Sequence, residues 1–221
     1  EQKPKAPMTF KQKIANFWYH YRGTVIVVVV LLAIMGYLVG DLLFEEKYDL
    51  TVVVSTSYPM STIQAPLETV LEEYATDYDG NGEVNVGVSV VNIRDPESGG
   101  SDTEMDIASK AKIIGMLTTG DPILFLVDDV SYEYMYNGDF FTDLSGYAKD
   151  GSEDSKNIKE KRFYIGDTTF EDDLMEEGGL IREEFPDDLT FVLRDFEGLN
   201  TDDSDVKKNY EYTESVVTNL V

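Results

Sequence analysis

Thr24 to Phe44 reads TVIVVVVLLAIMGYLVGDLLF, twenty-one residues with Asp41 as the one charge. As an α-helix such a stretch rises about 30 Å, the thickness of a bilayer's hydrocarbon core. Val and Ile are mediocre helix formers in water. In lipid every backbone N–H must be satisfied within the segment, and a helix is the open-chain solution. The stretch predicts a transmembrane helix over 23–44 that divides the 221-residue chain into two unequal parts. The alternative, a cleaved signal peptide, is opposed by an apolar run longer than the usual ~7–15 residues and by the lack of an A-x-A-like site after it.

Charge is distributed unevenly about this stretch. Residues 1–22 carry Lys3, Lys5, Lys11, Lys13 and Arg22 against Glu1, a net +4, whereas residues 45–221 hold 13 basic and 41 acidic side chains, a net −28. Basic residues next to a span stay in the cytoplasm, so the expected protein is single-pass in the cell membrane, with residues 1–22 inside and an acidic domain, 45–221, outside. So acidic a domain is a poor partner for nucleic acid, whose binding depends on Lys and Arg neutralising phosphates. The chain has no Cys, which excludes disulfides, thiolate metal sites and an acylated N-terminal Cys. Its one His, His20, precedes the span. The outer domain therefore lacks the parts for Ser–His–Asp, Cys–His and ordinary zinc chemistry, and the expectation is that it is not an enzyme.

Immediately before the span, Phe10, Ile14, Phe17, Trp18 and Tyr21 recur at helical spacing, with Lys11, Lys13 and Asn16 elsewhere on the wheel. This is a basic amphipathic helix suited to lipid headgroups, and Trp18, Tyr19, Tyr21 and Arg22 form the membrane-interface collar. It serves either to fix the depth of the span in the bilayer or to dock a membrane-protein partner. Within the span, Gly36 and Gly40 make a G-x-x-x-G pair that lets two helices approach closely.

Beyond the span, Tyr48–Ser55 (YDLTVVVS) reads as a strand buried on both faces. A helix follows near 61–78, with Ile63, Leu67, Val70, Leu71 and Tyr74 on one face and its regular part beginning about Pro66. Residues 84–94 alternate as a second strand. The next helix, 106–118, presents Ile107, Ala111, Ile114 and Leu117 as its apolar face. Ile123–Val127 is a third, buried strand, and 131–136 a short helix. Residues 148–187 are rich in charge and glycine and read as long loops with a short strand at 163–165. A fourth strand at 189–196 and a helix at 205–221, with Tyr212, Val216, Val217 and Leu220 buried, complete an α/β layered fold that begins βαβαβ. Such connections place the strand ends at Ser55 and Asp128 on one edge, where ligands bind in these sheets.

Two groups of residues carry candidate chemistry. Asp77-Tyr78-Asp79-Gly80-Asn81-Gly82-Glu83-Val84 matches the first eight positions of an EF-hand calcium loop. Asp77, Asp79 and Asn81 would offer side-chain oxygens and Glu83 its carbonyl. Position twelve, however, is Val88 rather than Glu, and a strand rather than a helix follows. The segment is either a Ca²⁺ loop completed by a distant carboxylate or a plain D-G-N-G turn. The second group, Asp128, Asp129 and Tyr132, follows the third strand. It either binds a ligand, with Tyr134, Tyr136, Phe140 and Phe141 nearby, or caps the helix after it.

The phrase Leu117-Thr118-Thr119-Gly120-Asp121-Pro122-Ile123-Leu124-Phe125-Leu126 resembles the L-x-x-G-D-x-x-D-I passage of bacterial extracellular solute-binding proteins with the type II periplasmic-binding fold. Gly138-Asp139-Phe140-Phe141-Thr142-Asp143-Leu144-Ser145 is similar to their G-x-x-x-D-L-S sequel, and the helix–DxDGNG–strand passage to that of membrane-anchored relatives in Gram-positive gut bacteria. The resemblance covers about residues 48–147, and its motifs are structural. It implies a periplasmic-binding-like lobe that takes a small solute, as a binding or accessory subunit of a transporter. Those proteins usually have two lobes, whereas the 177 residues beyond Phe44 supply one lobe, or one and a fragment. The rival expectation is a scaffold subunit of a membrane complex, with no small-molecule ligand.

Overall fold

The computed structural model describes residues 9–43, 48–60, 62–99, 102–136, 140–149, 152–182, 186–197, 199 and 203–221, with side chains of 38–43 and 136 excepted. The chain divides into two compact units, 1–47 and 48–221.

Among the described residues of the first unit, Phe10–Leu43 form one helix, α1, of 34 residues. The amphipathic segment and the apolar stretch, read separately in the sequence, form a single unbroken helix. Its part from Phe10 to Tyr37 is long and apolar enough to cross a membrane, and its most apolar window is 0% buried.

The second unit is built on a mixed six-stranded sheet of order β2-β1-β3-β6-β5-β4. Its strands are β1 Leu50–Thr56, β2 Val86–Asn92, β3 Leu124–Val127, β4 Ile158–Lys159, β5 Arg162–Tyr164 and β6 Thr190–Leu193. β1 pairs in parallel with β2 (Leu50↔Val86 to Thr56↔Asn92) and with β3 (Val52↔Leu124 to Ser55↔Val127). The β3–β6, β6–β5 and β5–β4 pairs are antiparallel. The βαβαβ start is as the sequence predicts; in the antiparallel half β6 falls within the strand predicted at 189–196 and β5 overlaps the short one at 163–165, while β4 lies in the region read as loops.

The triple valine of β1 explains the layering. Val52 and Val54 enter one core with Leu67, Val70 and Leu71 of α2 (Gln64–Tyr74) and Val216, Val217 and Leu220 of α6 (Ser204–Leu220). Val53 enters the other, with Ile113 and Leu117 of α3 (Glu104–Thr119), Phe125 and Phe141. Each of the three valines is 0% exposed, as a strand covered on both faces requires. Pro66 sits in the first turn of α2, where its missing N–H costs nothing.

α3 departs from its predicted orientation. It opens with a Thr103–Asp106 capping box and ends at Gly120, whose φ of 73° suits glycine. Of the four residues read as its apolar face only Leu117 is buried, and Ile107 and Ile114 are 59% and 40% exposed. Apolar residues occur on more than one face of this helix, so periodicity did not select the seam. The sheet did, by taking Ile113 and Leu117 one turn apart.

Two further helices complete the unit. α4, Asp129–Tyr136, begins two residues before its predicted start. α5, Thr169–Glu176, lies in the segment read as loops, capped by the Thr168 hydroxyl, which accepts from Glu171 N–H. Phe170 and Leu174, four apart, are its buried anchors.

Candidate functional site

The carboxyl ends of β1 and β3 lie side by side, Ser55 paired with Val127. β2 lies on one side of β1 and β3 on the other, so the connections leave β1 in opposite directions and open a crevice at this edge.

Asp128 sits at that edge fully buried. Its carboxylate accepts from Ser57 N–H at 2.6 Å and from Ser131 N–H at 2.8 Å, strapping the end of β1 to the first turn of α4. This is the capping role foreseen for it. The hydroxyls of Ser55 and Ser131 are buried without a hydrogen-bond partner. Asp129 is exposed and pairs with the Arg162 guanidinium of β5 at 2.6 Å. Arg162 lies 4.4 Å from the Tyr132 ring and 4.8 Å from the Tyr164 ring, and donates to the Thr190 hydroxyl at 3.1 Å. Tyr132 in turn stacks on Phe141. The Tyr58 hydroxyl donates to Asp188 at 3.1 Å. Burial, followed by the charges of Asp188 and Asp128, holds that phenol well above its ordinary range. The three residues read from the sequence thus share one edge, but Asp128 and Tyr132 are structural props, and Asp129 is the one facing outward.

Asp129 also lines a cavity of about 570 Å³, together with Ile93, Arg94, Lys110, Glu133 and Tyr134. That volume lies within the ~300–1,000 Å³ of small-molecule sites. Both signs of charge reach it. Arg94, just past β2, and Lys110 of α3 face four acids, Asp95 and Glu97 in the turn after β2 and Asp129 and Glu133 on α4. Lys110 is held 2.8 Å from Asp102, and its ammonium lies 5.8 Å from the Tyr134 ring. Tyr136 lies outside the described side chains, and Phe140 packs on the core under Arg194.

At the opposite edge the Asp77–Glu83 loop is closed by its own backbone. Asp77 accepts from Gly80, Asn81 and Gly82 N–H, Asp79 from Asn81, and Asn81 from Glu83. Gly80 and Gly82 take φ of 77° and 92°, which favours glycine at both. The N–H bonds, that of Gly82 first, hold the Asp77 carboxyl below its usual range. A distant carboxylate does approach the loop. Asp49, just before β1 and 5% exposed, accepts from Tyr78, Asp79 and Asn85 N–H, and its oxygens lie within 4.8 Å of those of Asp77 and Asp79. Among the described residues these three carboxylates form a group that could hold a metal ion.

On α1, Trp18, Tyr19 and Tyr21 are exposed at 53%, 76% and 53%, Arg22 is exposed, and a Cβ at Gly36 would meet nothing within 4 Å. The surroundings of Gly40 lie outside the described residues.

Sequence reasoning missed Arg162, Asp188, Tyr58 and Asp49, which reach their sites from segments distant in the chain. No local pattern marks them. α5, by contrast, carried a signal in Thr168-x-x-Glu171, the capping-box pattern. Comparison of the chain with protein families, with characterised proteins and with solved structures finds no match.

Proposed function

We propose that this chain is a single-pass membrane protein whose acidic outer domain binds a small solute in the crevice at the carboxyl edge of its sheet. It acts as a non-catalytic binding or accessory subunit. The observation that carries this reading is the 570 Å³ cavity at Asp129, placed where doubly wound sheets take their ligands and lined by groups of both charges. The positive-inside rule supports an outward-facing domain.

The test is thermal unfolding of the full chain in mild detergent against millimolar sugars, amino acids and short peptides. A solute at about a hundred times its Kd raises the melting temperature by roughly 5–10 °C, and Glu133→Gln reduces that rise. If no solute in the panel shifts the transition and a membrane protein co-purifies instead, the scaffold reading replaces this one.

The loop at 77–83 binds calcium with Asp49 as the distant carboxylate. The approach of Asp49 favours this over the plain turn. Calorimetry with millimolar Ca²⁺ gives heat that Asp49→Asn removes, and no heat at millimolar ion rejects it.

A further inference from the structure

The unbroken course of α1 carries a consequence for its amino-terminal third. Thirty-four residues rise about 51 Å, some 20 Å more than a hydrocarbon core. An amphipathic segment that lies in the headgroup plane must break from the span. Here the helix runs through Gly23 without a break, so residues 10–23 continue the axis of the span and leave the bilayer. That segment carries Phe10, Ile14, Phe17 and Tyr21 at 77%, 52%, 54% and 53% exposure.

These four residues alternate in steps of four and three. The same steps continue into the apolar stretch through Thr24, Val28, Leu31 and Met35, giving a 3.5-residue repeat over four heptads. Along this face Phe17 already stacks on Tyr21, ring centroids 5.1 Å apart.

We propose that α1 pairs in parallel with α1 of a second copy of this chain through the face from Phe10 to Met35. Three observations favour a second copy as the occupant. The a/d repeat is the pattern by which identical helices supercoil. In that register Lys13 faces Trp18 of the partner helix rather than another cation, and a cation–π contact is available. The size also fits. From their present exposure, the three aromatics of two helices remove roughly 600 Å² from water. That is about half the ~1,200 Å² of the smallest stable interfaces, so the face reaches sufficient size only by continuing into the span. Outside the bilayer the hydrophobic effect drives the pairing, while inside it close packing does. Repulsion between the acidic outer domains is screened beyond about 8 Å at physiological salt. Gly36 falls off this seam and takes no part in it.

The parallel orientation and the part of the face inside the bilayer rest on reading α1 as a membrane span, while the repeat from Phe10 to Tyr21 does not. The chain has no Cys, so single cysteines report without background. The experiment places Cys in turn at Ile14, Phe17 and Tyr21, and at Gln12, Asn16 and Tyr19, in the full chain. Isolated membranes are then oxidised with copper phenanthroline. The expected result is a band of twice the chain's mass, severalfold stronger at the first three positions than at the second three. Equal or absent dimer at all six positions, or a maximum at Tyr19, overturns the proposal in favour of a lipid-facing collar. A cross-linked band of any other mass overturns it in favour of a different protein partner. Release of the unmodified chain from membranes by alkali would reject the span without affecting the periodicity.

Discussion

Two runs of valine in this chain meet opposite fates. Val27–Val30 lie in α1 at 47–58% exposure, whereas Val52–Val54 form the centre of β1 at 0%. The residue type is the same, so propensity does not decide between them. The difference lies in what surrounds each run. Val52–Val54 has helices to cover both faces and neighbouring strands to take its backbone bonds. Among the described residues Val27–Val30 has neither, and it satisfies its backbone within α1, as would suit a segment long and apolar enough to cross a membrane.

The sharpest way to break this comparison is to put the same charge in both runs. Val53→Asp buries an unpaired carboxylate between two cores and costs more than about 4 kcal/mol, enough to abolish cooperative unfolding of the outer domain. Val28→Asp leaves the melting temperature of that domain unchanged. It instead weakens membrane retention, by less than the ~2.5–3.5 kcal/mol of an acid at the centre of a span, because Val28 lies only four residues past Thr24. Circular dichroism with membrane fractionation reads both.

Arg194 probes how the outer domain tolerates a buried charge of its own. It is 5% exposed and donates to the carbonyls of Leu117, Phe140 and Asp195. Arg194→Leu removes the guanidinium donor from the Leu117 and Asp195 carbonyls, while Phe140 keeps the Asp195 N–H, and lowers stability by about 2–3 kcal/mol, seen as a shifted denaturation midpoint. A smaller effect belongs to the cap of α5. Thr168→Ala costs about 1 kcal/mol by the same measurement, and Thr168→Ser restores most of it.

Acid gives the mildest perturbation. Asp77 is held low by Gly82 N–H first, Asp106 by the backbone and hydroxyl of Thr103, and Asp143 by the hydroxyl and N–H of Ser145. Carboxyls depressed in the folded state add stability above their unfolded value of about 3.9 and lose it as pH falls through the folded one. Glu177 works in the opposite sense, because Glu73 holds its carboxyl up. With three against one, the outer domain loses stability as pH drops below about 4, while the helix content of α1, which has no acid from Phe10 to Tyr37, does not change.

Local signals made the parallel half of the fold legible. Val52–Val54 and Ile123–Val127 announced themselves as buried strands, and the stripe of Tyr212, Val216, Val217 and Leu220 fixed the buried face of α6. In the antiparallel half β6 and β5 were legible as the strands at 189–196 and 163–165, whereas β4, two residues long, was hidden. Strands that short show no alternation. The buried face of α3 was hidden because Ile107 and Ile114 compete with Ile113 and Leu117 for the same periodicity. At the sites, single residues were readable and pairings were not. Asp129 could be placed at an edge, but Arg162 reaches it from 33 residues away. Asp77 announced its loop, while Asp49 joins it from before β1.

The central claim is that one valine run is made for lipid and the other for protein. The most direct test expresses the full chain beside a chain that begins at Tyr48 and washes the membranes of each with alkaline carbonate. The account predicts that the full chain stays in the pellet, while the shorter chain is soluble, monomeric and folded, with a cooperative thermal transition. Release of the full chain by carbonate, or a shorter chain that still pellets with membranes, would contradict it.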